Sequence, residues 1–215
     1  MDASKSTLQL NTEQLLTWAR SLQALAQNGL AYTKDHYDRE RFTALRQIAG
    51  EILAASAVNV HPDLIENFTC DAGYATPKID VRAAVFDRDQ LLLVKERSDG
   101  KWSLPGGWAD VGSSPSSAVI REVHEESGYS VAVKKLAALY DRDLHGHPPM
   151  AYHVYKMFFI CELRGGSPQT DIETEDVSFF REDALPSLSL PRVTPKQIEH
   201  LFGHYRHPEW PTSFD

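Results

Sequence analysis

The chain has 215 residues, 42% of them hydrophobic and 24% charged, and 22 Lys/Arg against 30 Asp/Glu leave a net charge of −8. That is the balance of an ordinary soluble globular protein, and its sign argues against broad electrostatic binding to nucleic acid or anionic membrane. No apolar run approaches the length of about 18 residues that spans a bilayer, and the N-terminus has no apolar signal core. The two cysteines, Cys70 and Cys161, lie far apart. Free thiols in the cytoplasm are therefore the expectation.

The length points to one catalytic module and one small extra domain. Asn11 with Gln14 forms a capping-box pattern that opens a helix, expected to run to about residue 28 and to stop at Gly29. Its apolar stripe is Leu15, Leu16, Trp18, Ala19, Leu22 and Leu25. A second helix over residues 38–55 shows Phe42, Leu45, Ile48, Ala49, Ile52 and Leu53 at helical spacing. A third short piece is expected over residues 62–67. Two or three helices bury too little area to stand alone, so they pack on another domain or on a second copy. Residues 1–66 carry six Lys/Arg and eight Asp/Glu. That balance does not suit a nucleic-acid-binding arm. The expected organisation is a helical domain (1–66), a linker (67–77) and a second domain (78–215).

The second domain opens with strand-like segments at 80–86 and 91–94, joined by the turn Asp87-Arg88-Asp89-Gln90. Further strands are expected near 131–141, 152–162 and 177–181. A closing helix over 194–205 has Thr194 as cap and Pro195 at its first position. The fold class is α+β, with a mixed sheet between helices.

The most informative stretch is LPGGWADVGSSPSSAVIREVHEESGY, residues 104–129. Ser114 can cap a helix that has Pro115 at its first position, and Gly128 can end it in the left-handed conformation. At about 100° per residue, Arg121, Glu122, Glu125 and Glu126 fall within an arc of roughly 140°, with Val119, Ile120 and Val123 opposite. Like charges at such spacing destabilise a helix, so a cation is the natural reason to crowd them. The glycines of Leu104-Pro105-Gly106-Gly107 let backbone approach a ligand closely. Hard oxygen donors suit Mg²⁺ or Mn²⁺, which bind phosphates at the same time.

In register, Gly107-x5-Ser113-x7-Arg121-Glu122-Val123-His124-Glu125-Glu126-Ser127-Gly128-Tyr129 resembles the Nudix box, G-x5-E-x7-R-E-U-x-E-E-x-G-U, where U is bulky and apolar. One position departs, Ser113, where the pattern has Glu. The resemblance implies the Nudix fold and hydrolysis of a nucleoside diphosphate linked to a group X by attack of water on phosphorus. It also implies Glu122, Glu125 and Glu126 as metal carboxylates, the Gly106 carbonyl as a further ligand, and Arg121 as the residue that orients Glu122. Gly73 to Arg82, Asp141 to Pro149, Ala151 to Lys156 and Ile172-Glu173-Thr174 resemble a narrower bacterial branch with a helical N-terminal domain. CDP-choline pyrophosphatases and ADP-ribose pyrophosphatase-like proteins belong to that branch. The resemblance implies a homodimer through the N-terminal helices, and it makes Ser113 a trait of the branch.

Other candidates follow from residue type. Glu173, in the acidic loop 171–176, is the expected late carboxylate, as metal ligand or base. His145 and His147 can donate to a phosphate. Arg82 and Arg142 can hold one bidentately. Trp108 and Tyr152 can stack on a base, as can Trp18 and Trp102. The reading is a metal-dependent pyrophosphohydrolase of a small nucleotide substrate, CDP-choline or ADP-ribose leading. Its alternatives are an enzyme of RNA 5′ ends and a nucleotide sensor that has lost turnover.

Overall fold

The structure, a computed structural model, describes residues 11–56 and 62–215. The chain divides into two compact units. One runs to Pro77 and takes in Pro149–His153, and the other comprises Lys78–Pro148 and Val154–Asp215.

The first unit contains three helices, α1 (Thr12–Tyr32), α2 (His36–Ala55) and α3 (Pro62–Cys70). Asn11 caps α1 by accepting the Gln14 N–H at 2.8 Å, and Asp35 caps α2 through the Asp38 N–H at 2.9 Å. Gly29 does not end α1. It lies inside the helix, where an added Cβ would come within 2.4 Å of the Phe42 ring, so this glycine serves close packing between α1 and α2. The expected linker is pinned to the same unit. Helix α3 extends to Cys70, the Asp71 carbonyl accepts from Arg46 at 3.0 Å, and the Ala75 N–H donates to Asn28 at 2.7 Å. The core is Leu16, Ala19, Ala49, Leu53 and Phe68, and Ala151 joins it from the returning segment. Trp18, Leu25 and Ile48, read from sequence as part of the stripes, are exposed.

The second unit is a seven-stranded sheet with a helix on each face. Its strands are β1 (Lys78–Asp87), β2 (Gln90–Glu96), β3 (Trp102–Ser103), β4 (Tyr129–Asp141), β5 (Val154–Gly166), β6 (Thr174–Arg181) and β7 (Ser213–Phe214). Their order is β3-β2-β1-β5-β4-β7, with β6 also paired to β2. The β1–β5 and β4–β7 pairs are parallel, and β1–β2, β2–β6 and β4–β5 are antiparallel. Arg88 and Asp89 both have positive φ, the backbone of the tight hairpin turn that matches strand twist. Helix α4 (Pro115–Ser127) covers one face over Val81, Ala83, Val85, Val119 and Val123. Helix α5 (Pro195–Arg206) covers the other over Ala84, Phe86, Leu93, Phe158, Ile198 and Leu201. The period-two alternation along β1 thus sends successive residues to opposite cores.

The caps of α4 follow the sequence. Ser114 accepts the Ser117 N–H at 3.1 Å, Pro115 opens the helix, and Gly128 ends it at φ 71°.

Candidate active site

The loop between β3 and α4 runs alongside β1. The Val81 N–H donates to the Gly107 carbonyl at 2.8 Å, the Ala83 N–H to the Pro105 carbonyl at 2.9 Å, and the Ala109 N–H to the Ile79 carbonyl at 3.0 Å. Two glycines make this fit possible. Gly106 has φ 142°, and a Cβ there would lie 2.0 Å from the Val81 carbonyl oxygen. A Cβ at Gly107 would lie 3.0 Å from the Glu122 carboxylate.

The same loop receives the acids of α4. The Gly106 N–H donates to Glu126 Oε2 at 2.9 Å, and Glu126 is only 6% exposed. Burial pushes the Glu126 carboxyl up to about 8, against the pull of Arg82 and the Gly106 N–H. Burial likewise raises Glu122 above the usual carboxylate range, more than Arg121 lowers it. Arg121 draws together three carboxylates. Its Nη2 meets Glu122 Oε1 and Asp110 Oδ2, each at 2.8 Å, and its Nη1 meets Glu125 Oε2 at 2.8 Å.

Glu122 and Glu126, carboxylates whose burial disfavours their charge, are groups a hard cation would stabilise. All the available donors are oxygens, the ligand type of Mg²⁺ and Mn²⁺. The residues therefore fit such an ion, with Glu122, Glu125 and Glu126 to hold it. Among the described residues no three His, Cys, Asp or Glu side chains are already closed on one point.

Glu173 is exposed on the loop before β6. The Asp171 carboxylate shapes that loop by accepting the N–H groups of Glu173 and Thr174, each at 2.8 Å. The Thr174 hydroxyl then donates to the Glu126 carbonyl at 3.0 Å, which ties this loop to the end of α4. The neighbouring Glu175 pairs with Lys95 at 3.1 Å.

Several expected substrate contacts are engaged with other groups of the protein. Arg82 is buried. Its guanidinium grips Asp80 at 2.8 Å and donates to the Leu104 carbonyl at 3.0 Å, so it braces the glycine loop instead of offering a phosphate clamp. Arg142 is 3% exposed and donates to the Pro191 carbonyl at 3.4 Å. His147 has both ring nitrogens in protein hydrogen bonds, to the Leu190 carbonyl at 2.7 Å and Gln197 at 2.9 Å. Burial pushes its imidazole down to about 4. It is a neutral structural histidine near pH 7. His145 pairs with Asp215 at 2.8 Å and stacks on Tyr140. Tyr152 packs on the helical unit's core and Trp102 packs edge-on to Phe180. Trp108, just past the glycines, is 47% exposed.

Sequence reasoning missed Asp110 and a buried network behind the loop. In that network Lys156 joins Asp80, both almost fully buried, and Ser103 donates to Glu96 at 2.6 Å while Arg192 pairs with Glu96 at 2.9 Å. The signal was present in Asp80 and Arg82, two charges on alternate positions among the apolar residues between Ile79 and Phe86 of β1.

Fold, glycine loop and acidic helix together define a phosphoanhydride hydrolase of the Nudix class. Residues 76–201 match the NUDIX domain model and residues 13–68 match the UDP-X-like, N-terminal oligomerisation domain model. The chain belongs to the Nudix hydrolases. It is 45% identical over 197 residues to a putative ADP-ribose pyrophosphatase of Bacillus subtilis, covering 92% of this chain and 95% of that protein. The structure of an ADP-ribose pyrophosphatase from Streptococcus suis is 42% identical, with a TM-score of 0.61, covering 65% of this chain and all of that one. A structure of a UDP-X diphosphatase is 31% identical, with a TM-score of 0.62, covering 96% of this chain and all of that one. No described helix is long and apolar enough to cross a membrane.

Proposed function

We propose that this chain is a Mg²⁺- or Mn²⁺-dependent pyrophosphohydrolase that cleaves a nucleoside diphosphate linked to X into a nucleoside monophosphate and X-phosphate. ADP-ribose is the leading substrate, on the names of the two relatives above 40% identity. CDP-choline stands behind it, and a UDP-linked substrate is a second reading, favoured by the likeness to the UDP-X diphosphatase along nearly the whole chain. The observation that carries the reaction class is the meeting of Glu122 and Glu126 at the Gly106–Gly107 turn.

A diphosphate resists water because its oxygens repel the nucleophile. A bound divalent cation would neutralise those oxygens and acidify a water. The chain's own residues prepare the place. Arg121 fixes the carboxylates of Glu122 and Glu125 on one side of α4. The Gly106 N–H fixes Glu126, and the Gly106 carbonyl is a further candidate donor. Glu173, on the loop tethered to the Glu126 carbonyl, is the proposed base. It takes a proton as the water oxygen bonds to phosphorus and the bridging P–O bond breaks. Trp108 is the exposed aromatic beside the loop and the proposed surface for a base. The exposed Trp18, Leu25 and Ile48, with the match to an oligomerisation domain, support a homodimer through the helical unit. The two free thiols support the cytoplasm as its compartment.

The test is separation of products from ADP-ribose, CDP-choline, UDP-linked sugars and 5′-triphosphorylated RNA, each with Mg²⁺ or Mn²⁺. AMP plus ribose 5-phosphate as the dominant products supports the reading. A blank panel despite nucleotide binding would replace it with the sensor.

A further inference from the structure

The motif pattern places a carboxylate at the position of Ser113, and this chain has none there. The loop nonetheless presents a carboxylate to the motif arginine, since Asp110 Oδ2 lies 2.8 Å from Arg121 Nη2. Chain geometry explains how a residue three positions earlier reaches it. The Ser113 N–H donates to the Asp110 carbonyl at 3.1 Å, and Gly112 has φ 90°, so residues 110–113 form a tight turn. Such a turn brings its first and last Cα atoms within about 7 Å. A carboxylate at its first corner thus reaches the space that one at its last corner would fill. Ser113 is exposed, and Ser114 beside it caps α4.

We infer that Asp110 supplies the loop carboxylate missing at Ser113, as a positioning residue that acts through Arg121. Arg121 Nη2 is shared between Asp110 and Glu122 at equal distances, while Nη1 holds Glu125. One guanidinium therefore faces three carboxylates and leaves the cluster with an excess of negative charge. Asp110 both draws Arg121 partly away from Glu122 and adds a charge of its own. Both effects favour a divalent cation at Glu122 and Glu125. The ion pair is solvent-exposed, Asp110 being 69% accessible, so it adds little to stability. Its effect belongs in cation affinity. This inference rests on the catalytic reading above.

The test uses the full chain and three variants, Asp110→Asn, Ser113→Glu and the double variant. Mn²⁺ binding is followed by electron paramagnetic resonance without substrate, and Mn²⁺-dependence of ADP-ribose hydrolysis in parallel. In D110N the half-saturating Mn²⁺ concentration should rise about fivefold in both readouts, with kcat changed less than about twofold, as removal of one neighbouring charge implies. Melting should stay within about 2 °C of wild type. Adding S113E to D110N should bring Mn²⁺ affinity back toward wild type. Unchanged Mn²⁺ affinity in D110N, or no recovery in the double variant, overturns the inference and leaves the catalytic reading intact. A wild-type chain that neither binds Mn²⁺ nor turns over nucleotide overturns both.

Discussion

Asp80 is 5% exposed and lies between Arg82, gripped at 2.8 Å, and Lys156. Burial works against its charge, but the two cations outweigh that and hold its carboxyl below the usual carboxylate range. Asp80→Asn keeps the shape and removes the charge, leaving two buried cations facing each other. Breaking a buried pair in this way costs about 3–5 kcal/mol. At about 2–4 °C per kcal/mol for a chain of this size, melting should fall by roughly 6–20 °C. Lys156→Met should cost much less, because Asp80 keeps Arg82. The pH dependence has a definite sign. A carboxyl with a lowered folded-state pKa contributes stability above its unfolded value and loses it as pH falls through the folded value, so the wild type loses this contribution below about pH 4 and D80N does not. Burial already pushes Lys156 down to about 8. In D80N it also lacks its anion, so it sheds its proton at lower pH than in the wild type, and the deficit should shrink as pH rises toward about 8. Thermal melts of the three proteins across pH supply the check. A D80N deficit below about 1 kcal/mol, or K156M as damaging as D80N, would refute the account of this network.

Four further outcomes follow from close approaches and loop geometry. Gly106→Ala should lower stability by more than about 3 kcal/mol in a denaturant titration, because its Cβ meets the Val81 carbonyl at 2.0 Å on a backbone already at φ 142°. Gly107→Ala meets only the end of Glu122 at 3.0 Å and should instead weaken Mn²⁺ binding with little change in melting. Glu173→Gln should lower kcat by about 10²-fold or more, the size of a lost general base. Glu175→Gln, which loses only a surface pair with Lys95, should stay within about threefold of wild type in the same steady-state assay.

The parts of the fold legible in the sequence were those with local causes. The caps Asn11, Ser114 and Thr194, the end of α4 at Gly128 and the burial of Val119 and Val123 each depend on neighbours within a turn of helix, whereas Ile120, read as part of the same face, is exposed. Gly29 was misread because its reason is the Phe42 ring across the hairpin, which composition does not reveal. The short β7 was missed for the same reason, since its partner Ala138 is far away in sequence. Ala151 reads as loop and becomes helical-unit core only through topology. In the site, the acidic helix and glycine pair were readable because spacing alone puts the acids on one arc. The bracing of the loop by Arg82, the neutral role of His147 and the reach of Asp110 to Arg121 all depend on how strand and loop lie side by side.

The claim that Glu122, Glu125 and Glu126 form the catalytic centre is tested most directly by Glu125→Gln. Glu125 is half exposed, so an amide of the same shape leaves the fold in place while removing a charge. Steady-state ADP-ribose hydrolysis at saturating Mn²⁺ should fall by at least about 10³-fold in E125Q, with melting unchanged, as loss of a carboxylate from the metal-binding group requires. Turnover within a few-fold of wild type would place the chemistry elsewhere and contradict the account.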